Sequence, residues 1–384
     1  MAEAARQRMF FVDNLRLAMI VLVVLVHAGV TESGLGSWYF IDPAPRGPLS
    51  LLALTLFQAG CQSFFMGLLF LLAGYFARAS LLKKGGWEFS LGRLVRLGLP
   101  ALFYMAVLQP VIVYWLADLG GIQERMGFGV FLAGYFTSAH FLGGSGPLWF
   151  AVALLFFCLV YAGVHGLRPV RDPGPVRPLT GRLALGLMLI CFAGTFLVRL
   201  KWPMGSAILN MQLPYFTQYV VFFLWGLAAH KNGWLTSLDT GLARRCLVLA
   251  LPGFVILGFV IWPVVNSPDV AAALVPHRGG WTWQSAFLCA WEAVMGVALT
   301  LGLLGLFRER CNATNPLLGE LTGSAFAVYV FHAPLVVVLG QMVAPLQAPV
   351  LVKFLVLGAL ALPVSFGAAW VVRKVPLLRE LVKA

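Results

Sequence analysis

Arg16 and His27 stand in an apolar run near the start of the chain, as Asp13-Asn-Leu-Arg16, ten intervening residues, then His27. In an α-helix eleven steps make three turns and about 20°, so both side chains share a face, separated along the axis by about 16 Å. If the run crosses a membrane, Arg16 lies at its inner mouth and His27 at or just past its middle. Asp13, one turn before Arg16, can orient it. A cation at an entrance with a neutral base deep inside suits a long ligand with an anionic head and a reactive tail. Acyl-coenzyme A has that form, and histidine is the side chain best suited to take a hydroxyl proton near neutral pH. A histidine bonded between helices and an arginine anchored among headgroups would leave the same pattern.

Three further constellations carry chemistry. Arg93-Leu-Val-Arg96, followed by Gly98 and Pro100, puts two guanidiniums on one helical face, able to grip one phosphate group. Ordinary anchoring of a cytoplasmic loop reads the same way. Ser324-Ala-Phe-Ala-Val-Tyr329-Val-Phe-His332-Ala-Pro334 places Tyr329 and His332 one turn apart. His332 is expected about 12 Å from the inner end of its span, a little shallower than His27. A Tyr/His packing pair is the competing reading. Glu292 falls in the outer third of an apolar run, where a carboxylate must be neutralised, paired or wet. It is a candidate to bond an acceptor or a catalytic histidine, or to act as interhelical glue. Trp149, in Gly146-Pro147-Leu148-Trp149-Phe150, is expected at the outer interface on the acceptor side. His140, His165, His230 and His277 fall at run ends or in loops. No metal-ligand cluster, HExxH, P-loop or GxSxG is present, so neither a metal nor a bound cofactor is expected.

The elements that hold these residues follow from composition. Of 384 residues 60% are hydrophobic and 11% charged, with a mean hydropathy of +0.89. That leaves too little polar surface for a water-facing globule. A soluble enzyme, a disordered chain and a secreted domain are thereby set aside, and the fold class is an all-α, polytopic transmembrane bundle. Ten runs are long enough to cross: 15–32, 58–80, 97–117, 147–167, 183–199, 213–230, 246–264, 285–307, 324–345 and 350–372. The segment 49–57 is apolar but short, an interfacial piece or an extension of the second span. The net charge of +13 does not indicate nucleic acid, because the cations stand at the ends of these runs. With a cytoplasmic N-terminus, all but six of the 27 Lys and Arg residues fall inside. The six are Arg46, Arg125, Arg199, Lys201, Arg278 and Lys353. This bias fits ten helices with both termini cytoplasmic. The first run lacks a small-x-small cleavage site and is read as a retained helix. The Pro- and Arg-rich stretch 168–182 is a cytoplasmic turn region, and the longest outer connection is 118–146. Residues 1–384 are expected to form one membrane domain with no separate soluble domain. The six cysteines show no CxxC pair and read as small core residues.

In order and spacing these residues resemble the acyltransferase 3 family of integral-membrane O-acyltransferases. The resemblance runs over nearly the whole chain, through Asp13, Arg16 and His27, then Arg93 and Arg96, then Leu148-Trp149-Phe150, then Ser324, Tyr329 and His332. Within the family the chain is most similar to the glucans biosynthesis protein C branch. It shares Ser63-Phe64-Phe65, Gly74-Tyr75-Phe76, Leu82-Lys83-Lys84, Arg93 to Pro100 and Val375-Pro376-Leu377-Leu378-Arg379. The resemblance implies acyl transfer at His27, with Arg16, Arg93 and Arg96 handling the acyl donor. The branch is associated with succinyl modification of periplasmic glucans.

The expected reaction takes an acetyl or succinyl group from cytoplasmic acyl-coenzyme A to a hydroxyl of a periplasmic or envelope saccharide or glycolipid. The setting is the lipid bilayer of a cell inner membrane, and no nucleic acid takes part. His27 serves as general base, His332 and Tyr329 relay the proton or hold the oxyanion, and Glu292 and Trp149 guide the acceptor. A transporter or flippase for an envelope precursor is the rival reading, since buried ionisable groups and intramembrane prolines suit one. No inverted repeat supports it.

Overall fold

The computed structural model describes residues 8–119, 121–167 and 176–382, 81% of the chain being helical. The expected turn region 168–182 is described from residue 176 onward, and Arg6, Arg168, Arg171 and Lys383 lie outside the described residues. Among the described residues nine helices are long and apolar enough to cross a membrane. They are α1 (Phe10–Ser33), α2 (Pro48–Lys84), α3 (Gly86–Leu116), α4 (Gly146–Leu167), α5 (Gly181–Lys201), α7 (Thr240–Val265), α8 (Trp283–Arg310), α9 (Pro316–Val343) and α10 (Val350–Val372). The expected span 213–230 is α6 (Phe216–Asn232), which has only 17 residues. Arg8 near the start of the chain and Arg379 and Val382 near its end line one cavity, so both ends reach the same face. An even number of crossings is required, and α6 supplies the tenth. The short segment 49–57 is the outer part of α2, whose 37 residues run about 55 Å without a break.

Local chemistry sets the boundaries. Asn315 caps α9 by accepting the Leu318 N–H, with Pro316 at the first helical position. Asp239 and Thr282 cap α7 and α8 in the same way. Gly34 ends α1 at φ 67°, a left-handed conformation that favours glycine. The α2–α6 contact is made by backbone. A Cβ on Gly74 would meet the Phe223 carbonyl, and one on Gly226 would meet the Leu71 carbonyl, so only glycine permits the approach. α3 is irregular, with π-helical turns at Leu94–Gly98, Tyr104–Leu108 and Ile112–Leu116, set among Pro100 and Pro110.

The core lies between α1, α2, α8 and α9. Within their most apolar stretches α8 and α2 are 67% and 61% buried, whereas α5 and α7 are 22% and 28% buried and turn apolar faces outward. The functional residues of α1 and α9 therefore sit on the central helices, where a side chain is best fixed.

Candidate active site

His27 and His332 meet at the centre of the bundle, His27 Nδ1 standing 3.0 Å from His332 Nε2. Both helices run outward. His27 is seventeen residues into α1 and His332 sixteen into α9, about 26 and 24 Å from their starts. The two are level, which corrects the shallower position expected for His332. The expected span begins at residue 324, but α9 begins two turns earlier, through the more polar stretch Pro316–Gly323.

Hydrogen bonding fixes the tautomers of the neutral pair. His332 Nδ1 lies 3.0 Å from the Tyr329 carbonyl and 3.2 Å from the Val328 carbonyl. Carbonyls only accept, so Nδ1 carries the hydrogen and Nε2 is bare. His27 Nδ1–H then donates to His332 Nε2, and the lone pair of His27 is left on Nε2. This is the order of a catalytic triad with backbone carbonyls in the place of the acid. His332 is fully buried and His27 only partly so. In this arrangement Nε2 is the basic nitrogen of His27, and His332 is bonded to its Nδ1.

A cleft of about 970 Å³ opens on the face that carries both chain ends. Arg16, Arg93 and Arg96 line it, as expected, and so do Arg8, Arg373, Lys374 and Arg379. Asp13 and Glu320 are its carboxylates. Asp13 accepts from Arg8 Nε at 2.9 Å and lies 3.9 Å from Arg16, whose guanidinium sits over the Phe76 ring. Arg373 donates to Ser324 Oγ at 2.7 Å. The deepest lining residues are Ile20 on α1 and Tyr329 on α9, and the Tyr329 ring lies 6.4 Å from that of His332. The cleft thus reaches within about one helical turn of the histidine pair on the α9 side.

The other candidates are placed differently from expectation. Tyr329 donates its hydroxyl to the Pro147 carbonyl at 2.5 Å, so that hydroxyl is already engaged. The turn Gly146–Leu148 accordingly dips into the bundle. Trp149 follows it, half-buried, and packs on Tyr219 with ring centroids 5.4 Å apart. Glu292 bonds neither histidine. Its carboxylate accepts from Arg199 at 2.6 Å, and the Arg199 guanidinium, fully buried, lies over the Tyr215 ring. Arg199 and Lys353 both belong to the outer charges, but neither is in a loop facing water. Lys353 is bonded to Asp42 at 2.8 Å and to the Ala344 carbonyl at 2.6 Å, in a pair almost wholly buried.

Trp38 has no counterpart among the expected residues. It lies in the connection between α1 and α2 and stacks on His27 with centroids 3.9 Å apart and planes 14° apart. Its connection is pinned by the Asp42 N–H to the Thr31 carbonyl at 2.8 Å, and by Arg46 donating to the Glu32 and Asp42 carbonyls. No spacing rule marks such a residue; the one available signal is an aromatic close in sequence to the helix that carries the base. Beside it, Tyr39 bonds Tyr104 at 3.0 Å and also bonds Gln109. On the outer side the hairpin pairing Ala207 with Gln212 and Ile208 with Met211 sends Asn210 to the Gly146 carbonyl at 2.8 Å. Among the described residues no group of three or more His, Cys, Asp or Glu is arranged to hold a metal.

The chain is similar to known proteins over most of its length. Residues 9–372 match the acyltransferase 3 family model, described as an acyltransferase domain. The chain is 23% identical over 370 residues to the glucans biosynthesis protein C of Salmonella gallinarum, covering 92% of this chain and 89% of that one. The proteins of that name from Salmonella schwarzengrund and Salmonella typhi show the same identity and coverage. No solved structure matches.

Proposed function

Since this chain belongs to the acyltransferase 3 family and is a multi-pass membrane acyltransferase, we propose that it acylates a saccharide hydroxyl at the outer face of a bacterial inner membrane. The donor is cytoplasmic acyl-coenzyme A, carrying acetyl or succinyl, and His27 is the general base. The observation that carries this reading is the His27–His332 pair, its ring nitrogens 3.0 Å apart, about one helical turn beyond the deep end of a basic cleft. Seven cations against two carboxylates line that cleft, which suits the phosphates of the donor head. The pantetheine arm has the length of about four extended peptide units, roughly 14 Å, close to the axial distance from Arg16 to His27. Arg16 with Arg93 and Arg96 then holds phosphate while the thioester reaches the base. The saccharide class follows the name of the glucan-related proteins.

Purified protein in sealed liposomes, given labelled acetyl- or succinyl-coenzyme A and glucan on opposite sides, tests the scheme. Label should pass to the saccharide only when the donor bathes the Arg93–Arg96 face. No transfer from either donor with folded protein would return the transporter reading, and transfer indifferent to sidedness would remove the cytoplasmic donor site. Arg93→Ala with Arg96→Ala should raise KM for the donor by about tenfold or more with kcat little changed, since these contacts serve ground and transition states alike. An unchanged KM would remove the two arginines from the donor site.

A further inference from the structure

The indole N–H of Trp38 is buried without a hydrogen-bond partner among the described residues, beside the base of the reaction. Buried donors are almost always satisfied, so an orphan at a reaction centre calls for an acceptor that arrives with the substrate. The neighbouring donors are already committed. Tyr329 gives its hydroxyl to Pro147, His332 gives Nδ1–H to backbone carbonyls, and Tyr39 gives its hydroxyl to the Gln109 oxygen and bonds Tyr104. The Trp38 and His27 rings are stacked, their centroids 3.9 Å apart and their planes within 14° of parallel. Stacking holds the indole beside the base, so a carbonyl that accepts the Trp38 N–H lies next to the His27 ring.

We propose that Trp38 Nε1–H is the oxyanion donor of this site. The proposal rests on His27 as base and adds the electrophilic half of the reaction. The acceptor hydroxyl oxygen bonds to the thioester carbon while its proton passes to His27 Nε2. The carbonyl π pair moves onto oxygen, where Trp38 Nε1–H donates to it. Collapse restores the C=O bond and breaks the C–S bond. The departing coenzyme A thiolate takes the proton back from His27. Donation aimed at charge that develops only in the transition state is the largest single contribution in many acyl transfers.

Trp38→Phe keeps an aromatic ring over His27 and deletes the donor. The expected result is a fall in kcat of about 100-fold, with KM for acyl-coenzyme A, affinity for free coenzyme A and the thermal midpoint near wild type. Replacement of Trp38 by benzothienylalanine, which has the shape of tryptophan with sulfur in place of N–H, should give the same loss without any packing change. Full activity in the benzothienylalanine protein would overturn the assignment. An active His27→Gln protein would instead sink the base on which it rests. His27→Gln inactive with the benzothienylalanine protein fully active would leave the base standing and remove Trp38 alone.

Discussion

His27→Gln should lower kcat for acyl transfer by about 10²- to 10⁴-fold while the protein stays folded and binds coenzyme A with near-native affinity. The affinity is spared because the basic cleft ends at Ile20 and Tyr329, below the histidines. The rate falls because glutamine offers no nitrogen lone pair in place of Nε2. His332 tests the same geometry through its neighbour. His332→Phe removes the acceptor that holds His27 Nδ1–H at 3.0 Å and frees the His27 ring to adopt the wrong tautomer. His332→Gln keeps an amide oxygen that can accept that hydrogen, so it should recover part of the rate lost in His332→Phe. Single-turnover transfer, measured beside coenzyme A affinity, separates the outcomes. Equal rates in the two His332 variants would deny it the positioning role, and wild-type turnover in His27→Gln would end the general-base scheme.

Lys353→Met should cost about 3–5 kcal/mol of stability, because breaking a buried pair strands the remaining charge. Lys353 and Asp42 have side chains only 3% and 1% exposed, and Glu32 is fully buried nearby. Burial alone would push the Asp42 carboxyl up. The hydrogen bond and charge of Lys353 and the Ala44 N–H outweigh it and hold the group below the usual carboxylate range. The stability this carboxylate contributes is therefore full above its unfolded pKa of about 3.9 and is lost as pH falls through the lower folded value. Pairing Lys353→Met with Asp42→Asn should restore most of the loss, since neither partner is then charged. Thermal unfolding in detergent measures this. Unchanged stability in the single variant would mean that the pair is solvated.

How much of this is legible in the chain depends on the range of the interaction concerned. The facing of Arg16 and His27 is local, fixed by eleven steps of one helix, and the structure sets both where that spacing requires. The ten crossings are equally local, being runs of apolar residues punctuated by charge. His332 is legible as to span but not as to height, because Glu320 and its polar neighbours hide the first two turns of α9. The Arg199–Glu292 and Lys353–Asp42 pairs join residues 93 and 311 positions apart, and a charge count along the chain sees each cation only as an outer one. Trp38 is invisible for another reason. A loop has no period, so nothing in its spacing says that it folds back onto α1.

The π-helical turns of α3 bear on how the gene for this protein can drift. Each such turn carries more residues than an α-helical one and stands where an extra residue has been absorbed without displacing the turns on either side. α3 has three of them along 31 residues. Loss of one codon there would relax a wide turn into an ordinary one and leave both flanks in phase, with Arg93 and Arg96 still aimed at the cleft. The same loss in α1, between Arg16 and His27, would swing the base about 100° away from its partner. The two helices thus differ in the reading-frame-preserving deletions they can accept, and length variation among descendants of this chain should gather in α3 and avoid α1.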